Sequence, residues 1–522
     1  MVALDACNLL GLDIGPKLAL EALTKDSENS DEHGEEKINF KRGMGDNYER
    51  LEFMGDCFLK LATSISTFVQ QPDENEFEFH VRRMCMLCNK NLKDTALTYK
   101  LYEYVRTMAF SRRTWYPEGL KLLKGKGAKR EGLFIIKHSL GDKPIADVCE
   151  ALIGAAFMEY DKYSDQGVEW EPQQWDQAVK AVKLLVNSED HPMTKFSDYY
   201  AAYELPKYQV AKATASQIDM AHQIEQKHPY HFRYPRLLRS AFIHPCQAFM
   251  WEHIPNYQRL EFLGDALLDQ AFITYLFYRF PKKDPQWLTE HKMPMVSNKF
   301  LGAVCVKLGF HTHIRHNSAS VSAVIRNYVV DIEEAERAAA GAMDYWRSVS
   351  EPPKCLADVV EAYVAAIFVD SKFNFSVVQT FFNMHLKPFF ANMDLYDDFA
   401  KSHPVTRLTD LMNINFGCKQ WSMAAAAQQS VIPGAKALVI SMVQIHYKVW
   451  FHVTTESSRY GKPRVAKRAL DEMKGLPPYE FRRRYNCDCD DNDATVNEVT
   501  KGAEAMNLGE YDRDTEMDEA PA

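Results

Sequence analysis

The chain of 522 residues contains no run of about 18 apolar residues and no apolar stretch of the kind that forms a secretory leader. Its expected place is therefore soluble and intracellular, nuclear or cytoplasmic, with no membrane partner. No Ser/His/Asp order, glycine-rich phosphate loop or dinucleotide fingerprint is present, which removes the commonest hydrolase, nucleotide-binding and oxidoreductase readings. The eleven cysteines show no paired framework spacing, so in a reducing compartment most are expected to be free core thiols. Excess positive charge is also missing. The formal net charge of −9 argues, by itself, against a nucleic-acid binder, but the sum hides a strongly acidic tail from Cys487 onward and several basic inner segments. A hydrophobic content of 46% over this length leaves material for two to four packed domains.

What is present is a duplication. Asn47–Asp56 reads NYERLEFMGD and Asn256–Asp265 reads NYQRLEFLGD, 209 residues later. In each copy a Glu and an Asp stand four apart, Glu52 with Asp56 and Glu261 with Asp265, which puts both carboxylates on one face of a helix. A second acidic pair follows each, in ADVCEALIGAAF (Asp147, Glu150) and ADVVEAYVAAIF (Asp358, Glu361). The repeat unit is thus a whole domain with two acidic helices. Acids set within an apolar helical repeat, and duplicated, are not the usual solvated face.

Along the chain, 1–23 mixes helical spacing with a GLDIGP turn, and TKDSENSDEHGEEK reads as a polar loop. From Asn47 to Val69 apolar residues recur at three- and four-residue steps, broken by Gly55. Arg82 to Val105 reads as one or two amphipathic helices, whose Cys85-x-x-Cys88 has no partner pair and is taken as core thiols. A basic insertion follows over 106–137, carrying Arg106, Arg112, Arg113, Lys121, Lys124, Lys126, Lys129, Arg130 and Lys137, where phosphate contact and simple solvation are both open readings. AVKAVKLLV closes the first copy. The second runs from near Arg236 to the helix VVQTFFNMHLKPFF.

After Pro404 the pattern changes. Arg407–Asn415 reads as a helix, Cys418–Ala425 as an extended run, Leu438–Val453 as β-type sequence and Pro463–Lys474 as a helix. Arg459, Lys462, Arg464, Lys467 and Arg468 gather at the start of that helix, an arrangement suited to phosphate and hence to RNA binding.

Four carboxylates per repeat suit a hard cation, Mg²⁺ or Mn²⁺, which takes oxygen ligands and lets substrate phosphate complete the shell. Two such ions about 4 Å apart support in-line displacement at a phosphodiester. Lys143 and Lys354 stand four residues before Asp147 and Asp358, where a cation could meet the extra negative charge of the transition state.

The ERLEFLGD-type signature, the downstream A-D-x-x-E-A pair and the α-β-β-β-α tail resemble ribonuclease III. Two such domains in tandem, followed by one double-stranded-RNA-binding domain, look like the C-terminal half of a filamentous-fungal Dicer-like protein, from about Leu20 to Cys489. The resemblance implies a mainly α fold: two tandem all-helical endonuclease domains forming an intramolecular pseudo-dimer in a monomeric chain, plus a small α+β (α-β-β-β-α) domain. The expected boundaries are 1–195, 196–398, 399–489 and a disordered acidic tail over 490–522. It implies metal sites at Glu52, Asp56, Asp147 and Glu150 and at Glu261, Asp265, Asp358 and Glu361, one per RNA strand. Phe53 and Phe262 would pack reciprocally across the pseudo-two-fold axis. Resembling proteins also carry zinc in the last domain, on positions that here match Cys418, His452, Cys487 and Cys489, with His446 competing for the histidine place.

Two departures stand out. Glu49 of the first copy is Gln258 in the second, and no Walker-type loop, helicase box or end-binding module is found, so a truncation or a minimal enzyme is one expectation. The implied activity is cleavage of double-stranded RNA into short duplexes with 5′-phosphate and two-nucleotide 3′-overhang ends, as in RNA silencing and antiviral defence. A non-catalytic RNA-binding scaffold is the alternative. Argonaute-type partners are not readable from the residues.

Overall fold

The computed structural model describes residues 2–25, 46–72, 74–107, 140–161, 170–397, 399, 404–428, 438–455 and 458–489. Most of the polar loop (26–45), most of the basic insertion (108–139, with Arg112 through Lys137), the acidic tail (490–522) and the side chain of Arg459 lie outside the described residues. The chain divides into two compact units, Met1–Asn392 and Met393–Ala522.

The first unit is helical and holds both repeats. Each signature helix, Glu49–Gln70 and Gln258–Arg279, packs along the acidic-pair helix of its own repeat, Asp142–Tyr160 and Lys354–Asp370, and the two signature helices also pack against each other. Being covered on several sides, these helices are buried over most of their length. Thr63, Ser64 and Thr67 are buried there because each hydroxyl donates to a carbonyl one turn back, at 2.6–2.8 Å.

The repeats start their helices alike. The Asn47 and Asn256 side chains accept from the amides of Glu49 and Gln258 (3.2 and 3.0 Å). One connection later, Asn75 and Asp284 cap helices Glu76–Leu87 and Pro285–Met295. The glycine break has a packing reason. A Cβ on Gly55 would lie 1.8 Å from the Glu150 carbonyl oxygen, and one on Gly264 1.9 Å from that of Glu361. Only glycine lets the two helices of a repeat approach this closely.

The Arg82–Val105 region forms two helices, Glu76–Leu87 and Asn89–Thr98. Its expected core thiols are not core: Cys85 is exposed and Cys88 half-buried, because the helix ends between them on the surface. Neither belongs to a metal-like cluster among the described residues.

The second unit contains a three-stranded antiparallel sheet in order β1-β2-β3, with β1 Trp421–Gln428, β2 Leu438–Ile445 and β3 Lys448–Thr455. The stretch read as one β-type run is a hairpin, turned at His446 and Tyr447, both with positive φ (48° and 62°). Neither is the Gly or Asn that usually marks such a turn, so composition hid it. Helix Ser458–Met473 packs on the sheet at Gly461, whose missing Cβ would meet the Ser441 hydroxyl at 2.1 Å. A further helix, Pro478–Tyr485, follows, and its Phe481 stacks on Phe416 at 3.9 Å.

Candidate active site and metal centres

Oxygen atoms of Glu52, Asp147 and Glu150 lie within 4.8 Å of one another in the first repeat, as do those of Glu261, Asp358 and Glu361 in the second. Two turns of two packed helices supply each cluster, so the close approach at Gly55 and Gly264 sets its geometry. Asp56 and Asp265 stay outside these groupings. Asp56 is exposed, and Asp265 turns to the Lys60 ammonium at 2.9 Å.

Crowding of like charge shows in the electrostatics. Burial first, then the Asp147 carboxylate, pushes Glu52 up to about 7, and burial and Asp358 do the same to Glu261, also to about 7. Burial followed by the Asp265 charge holds Glu361 well above the ordinary carboxylate range. A buried acidic cluster of this kind favours protonation until a cation enters. The donor set, all carboxylate oxygen, fits Mg²⁺ or Mn²⁺.

Both lysines singled out from the spacing reach these clusters. Lys143 Nζ lies 2.9 Å from Asp147 and 3.4 Å from Glu52, while Lys354 Nζ donates to Asp358 at 2.7 Å and to Glu261 at 2.6 Å. Two tyrosines were missed. Tyr257 Oη donates to Asp358 at 2.9 Å, and Tyr48 Oη stands 3.5 Å from Asp147. Their signal was available, since each is the second residue of the repeated decapeptide.

Contacts between the repeats are reciprocal at their edges. Arg50 lies over the Phe277 ring (4.3 Å) and donates to the Phe277 carbonyl (3.1 Å); Arg259, at the matching position, lies over Phe68 (5.1 Å) and donates to its carbonyl (3.3 Å). Phe262 enters a first-repeat pocket of Phe79, His80 and Arg83, the guanidinium 4.3 Å above its ring. Phe53 is only half-buried, so the two phenylalanines are not equivalent. Gln258 donates to first-repeat Glu76 at 2.5 Å, which gives the substituted position a partner across the interface.

In the second unit, sulfur and nitrogen atoms of Cys418, His446, Cys487 and Cys489 lie within 4.8 Å of one another. His446 Nε2 is 3.7 Å from Cys418 Sγ and 3.5 Å from Cys489 Sγ. The expected His452 is not there: it sits exposed on β3, paired in register with Met442, whereas the hairpin turn swings His446 to the cysteines. Three thiols and an imidazole are a tetrahedral zinc donor set. Of the basic group, Arg464, Lys467 and Arg468 are exposed on one face of helix Ser458–Met473, Lys462 is half-buried, and Arg468 also donates to the His452 carbonyl at 3.1 Å.

Comparison with known proteins bears on the domain organisation. The Ribonuclease III domain model matches residues 49–161 and 258–372, and the dsRNA binding domain model matches 396–475. Dicer-like protein 1 of Phaeosphaeria nodorum is 66% identical over 97% of this chain and 34% of its own length. Dicer-like protein 1 of Aspergillus clavatus is 51% identical over 94% of this chain and 31% of its own. The chain thus spans about a third of the length of these relatives. A solved structure of Giardia Dicer aligns with 65% of this chain and 54% of its own at 15% identity and a TM-score of 0.37. Among the described residues no helix is long and apolar enough to cross a membrane. With two ribonuclease III domains, a dsRNA-binding domain and this level of identity to Dicer-like proteins, the chain belongs to the Dicer-like ribonuclease III family.

Proposed function

We propose that this chain is a Mg²⁺- or Mn²⁺-dependent endoribonuclease that hydrolyses double-stranded RNA, each repeat cutting one strand, to give short duplexes with 5′-phosphate and two-nucleotide 3′-overhang ends, as in RNA silencing. The observation that carries the reading is the occurrence of the same carboxylate cluster twice, each capped by a lysine: Glu52, Asp147 and Glu150 with Lys143, and Glu261, Asp358 and Glu361 with Lys354. These acids, with Asp56 and Asp265 beside them, would hold the cation, which when bound activates water and stabilises the leaving oxygen.

The chain's own residues orient the reaction. Tyr257 and Tyr48 restrain the second-pair aspartates, and the Lys143 and Lys354 ammonium groups, held on the acids of each cluster, would meet the negative charge that develops on phosphate. Arg464, Lys467 and Arg468 supply sequence-independent phosphate contacts. Zinc on Cys418, His446, Cys487 and Cys489 would tie the sheet to the segment after the last helix.

The test is incubation of the chain with a long perfect RNA duplex and Mg²⁺, followed by sizing of the products and analysis of their ends. Short duplexes that vanish with EDTA and with Asp147→Asn/Asp358→Asn are expected. Binding without cleavage in Mg²⁺ or Mn²⁺ would favour the scaffold reading.

A further inference from the structure

Lys60 and Asp269 occupy the same position of the two repeats, 209 residues apart, as do Asp56 and Asp265, and Arg83 and Lys292. Two copies of one sequence meeting about a two-fold axis would set like charge against like at such a position. At Lys60 and Asp269 alone of these three pairs the residues have diverged to opposite signs. The Lys60 ammonium makes ion pairs with Asp269 at 2.5 Å and with Asp265 at 2.9 Å, while Lys292 holds the other oxygen of Asp269 at 3.3 Å. Asp269 is buried and Lys60 only about a quarter exposed, so water screens that pair weakly, while Asp265, with 38% of its side chain exposed, is the more solvated partner.

The consequence for the two acidic sites is unequal. Asp265, the outer acid of the second site, is held by a cation from the first repeat. Asp56, its counterpart, has no such ion pair among the described residues, and the residue matching Lys60 is an acid already enclosed by two lysines. A fixed positive charge beside a prospective ligand opposes entry of a divalent cation and competes for the carboxylate.

We propose that Lys60 is a positioning residue of the second site, supplied across the repeat interface, and that it makes this site the weaker of the two for divalent metal. The inference rests on the metal-dependent reading given above. It predicts a crossed effect: a substitution in the first repeat alters the cut made by the second.

The test uses the full chain, stripped of metal and titrated with Mn²⁺, with free Mn²⁺ followed by electron paramagnetic resonance. Two classes of binding are expected, assigned by loss of the tighter one in Asp147→Asn and of the weaker one in Asp358→Asn. In Lys60→Met the weaker class should tighten by about tenfold, while Lys60→Arg should retain the difference. With strand-labelled RNA, the Mg²⁺ concentration for half-maximal cleavage should fall for the second repeat's strand alone. Should Lys60→Met not fold, Lys60→Met/Asp269→Asn, which removes the buried acid with its cation, carries the same expectation. An unmoved isotherm, or equal shifts in both classes, would overturn the proposal while leaving the metal reading intact. Absence of any Mn²⁺ binding sensitive to Asp147→Asn or Asp358→Asn would overturn both.

Discussion

Gly264 faces the backbone of Glu361 so closely that an added methyl group would lie 1.9 Å from the Glu361 carbonyl oxygen. Gly55 stands in the same relation to Glu150, at 1.8 Å. Each glycine therefore fixes the spacing of the helices that bring one cluster together. Gly264→Ala should force these helices apart, costing about 1–3 kcal/mol of stability and abolishing the second repeat's cut. Gly55→Ala should do the same to the first. Thermal melts and strand-specific cleavage of each variant check this, and wild-type behaviour of both would remove the close approach as a determinant of the site.

Glu52 and Glu261 give a pH dependence with a definite sign. Each carboxyl is pushed up to about 7 from an ordinary 4.5, burial being the main cause. Between those values the metal-free folded chain binds more protons than the unfolded one, so these groups stabilise fully below about 4.5 and their contribution is lost as pH rises through about 7. Without metal, the melting temperature should fall between pH 5.5 and 8. Mg²⁺ should restore it at pH 8 and do little at pH 5.5, because its ligands must be ionised. Glu52→Gln/Glu261→Gln should flatten the metal-free profile, and a profile unchanged by that pair would show that other groups set it.

Much of the fold and of the candidate site was legible because it is carried by local signals. A decapeptide written twice, acids at helical spacing and a lysine one turn before each second-pair aspartate place Glu52, Asp147, Glu150 and their counterparts on packed faces without reference to the rest of the chain. What was not legible depends on residues far apart in sequence. That Asp265 turns to Lys60, that Gln258 meets Glu76, and that Phe262 is enclosed while Phe53 is only half-buried are properties of the interface between repeats. The place of His446 was hidden for a different reason. A two-residue turn at positive φ without Gly or Asn leaves no mark in composition, so His452, in the middle of an evident strand, was preferred as the ligand and His446 was kept only as its competitor.

That turn makes the zinc site separable by substitution. His446→Ala and Cys487→Ser should each lower zinc per chain, measured by atomic emission after dialysis, and lower the melting temperature of the second unit. His452→Ala should retain the wild-type metal content, since its ring is exposed on β3. Loss of zinc in His452→Ala with retention in His446→Ala would reverse the assignment, and a metal-free wild-type chain would reject the site.

Because each carboxylate cluster comes from two helices of a single repeat, the two cuts should separate cleanly under substitution of second-pair aspartates. Asp147→Asn should silence one strand's cut and Asp358→Asn the other's, each leaving a duplex nicked at one position. The loss should exceed the roughly 10- to 100-fold typical of removing a group that only supports a metal ligand. RNA binding should persist in both, because Arg464, Lys467 and Arg468 lie in the other compact unit. End-labelling each strand of one duplex in turn, with both single variants and the double variant, gives the measurement. Loss of both cuts in either single variant, or survival of either cut in the double variant, would mean that a site draws acids from both repeats, and the assignment of one cluster to one strand would fail.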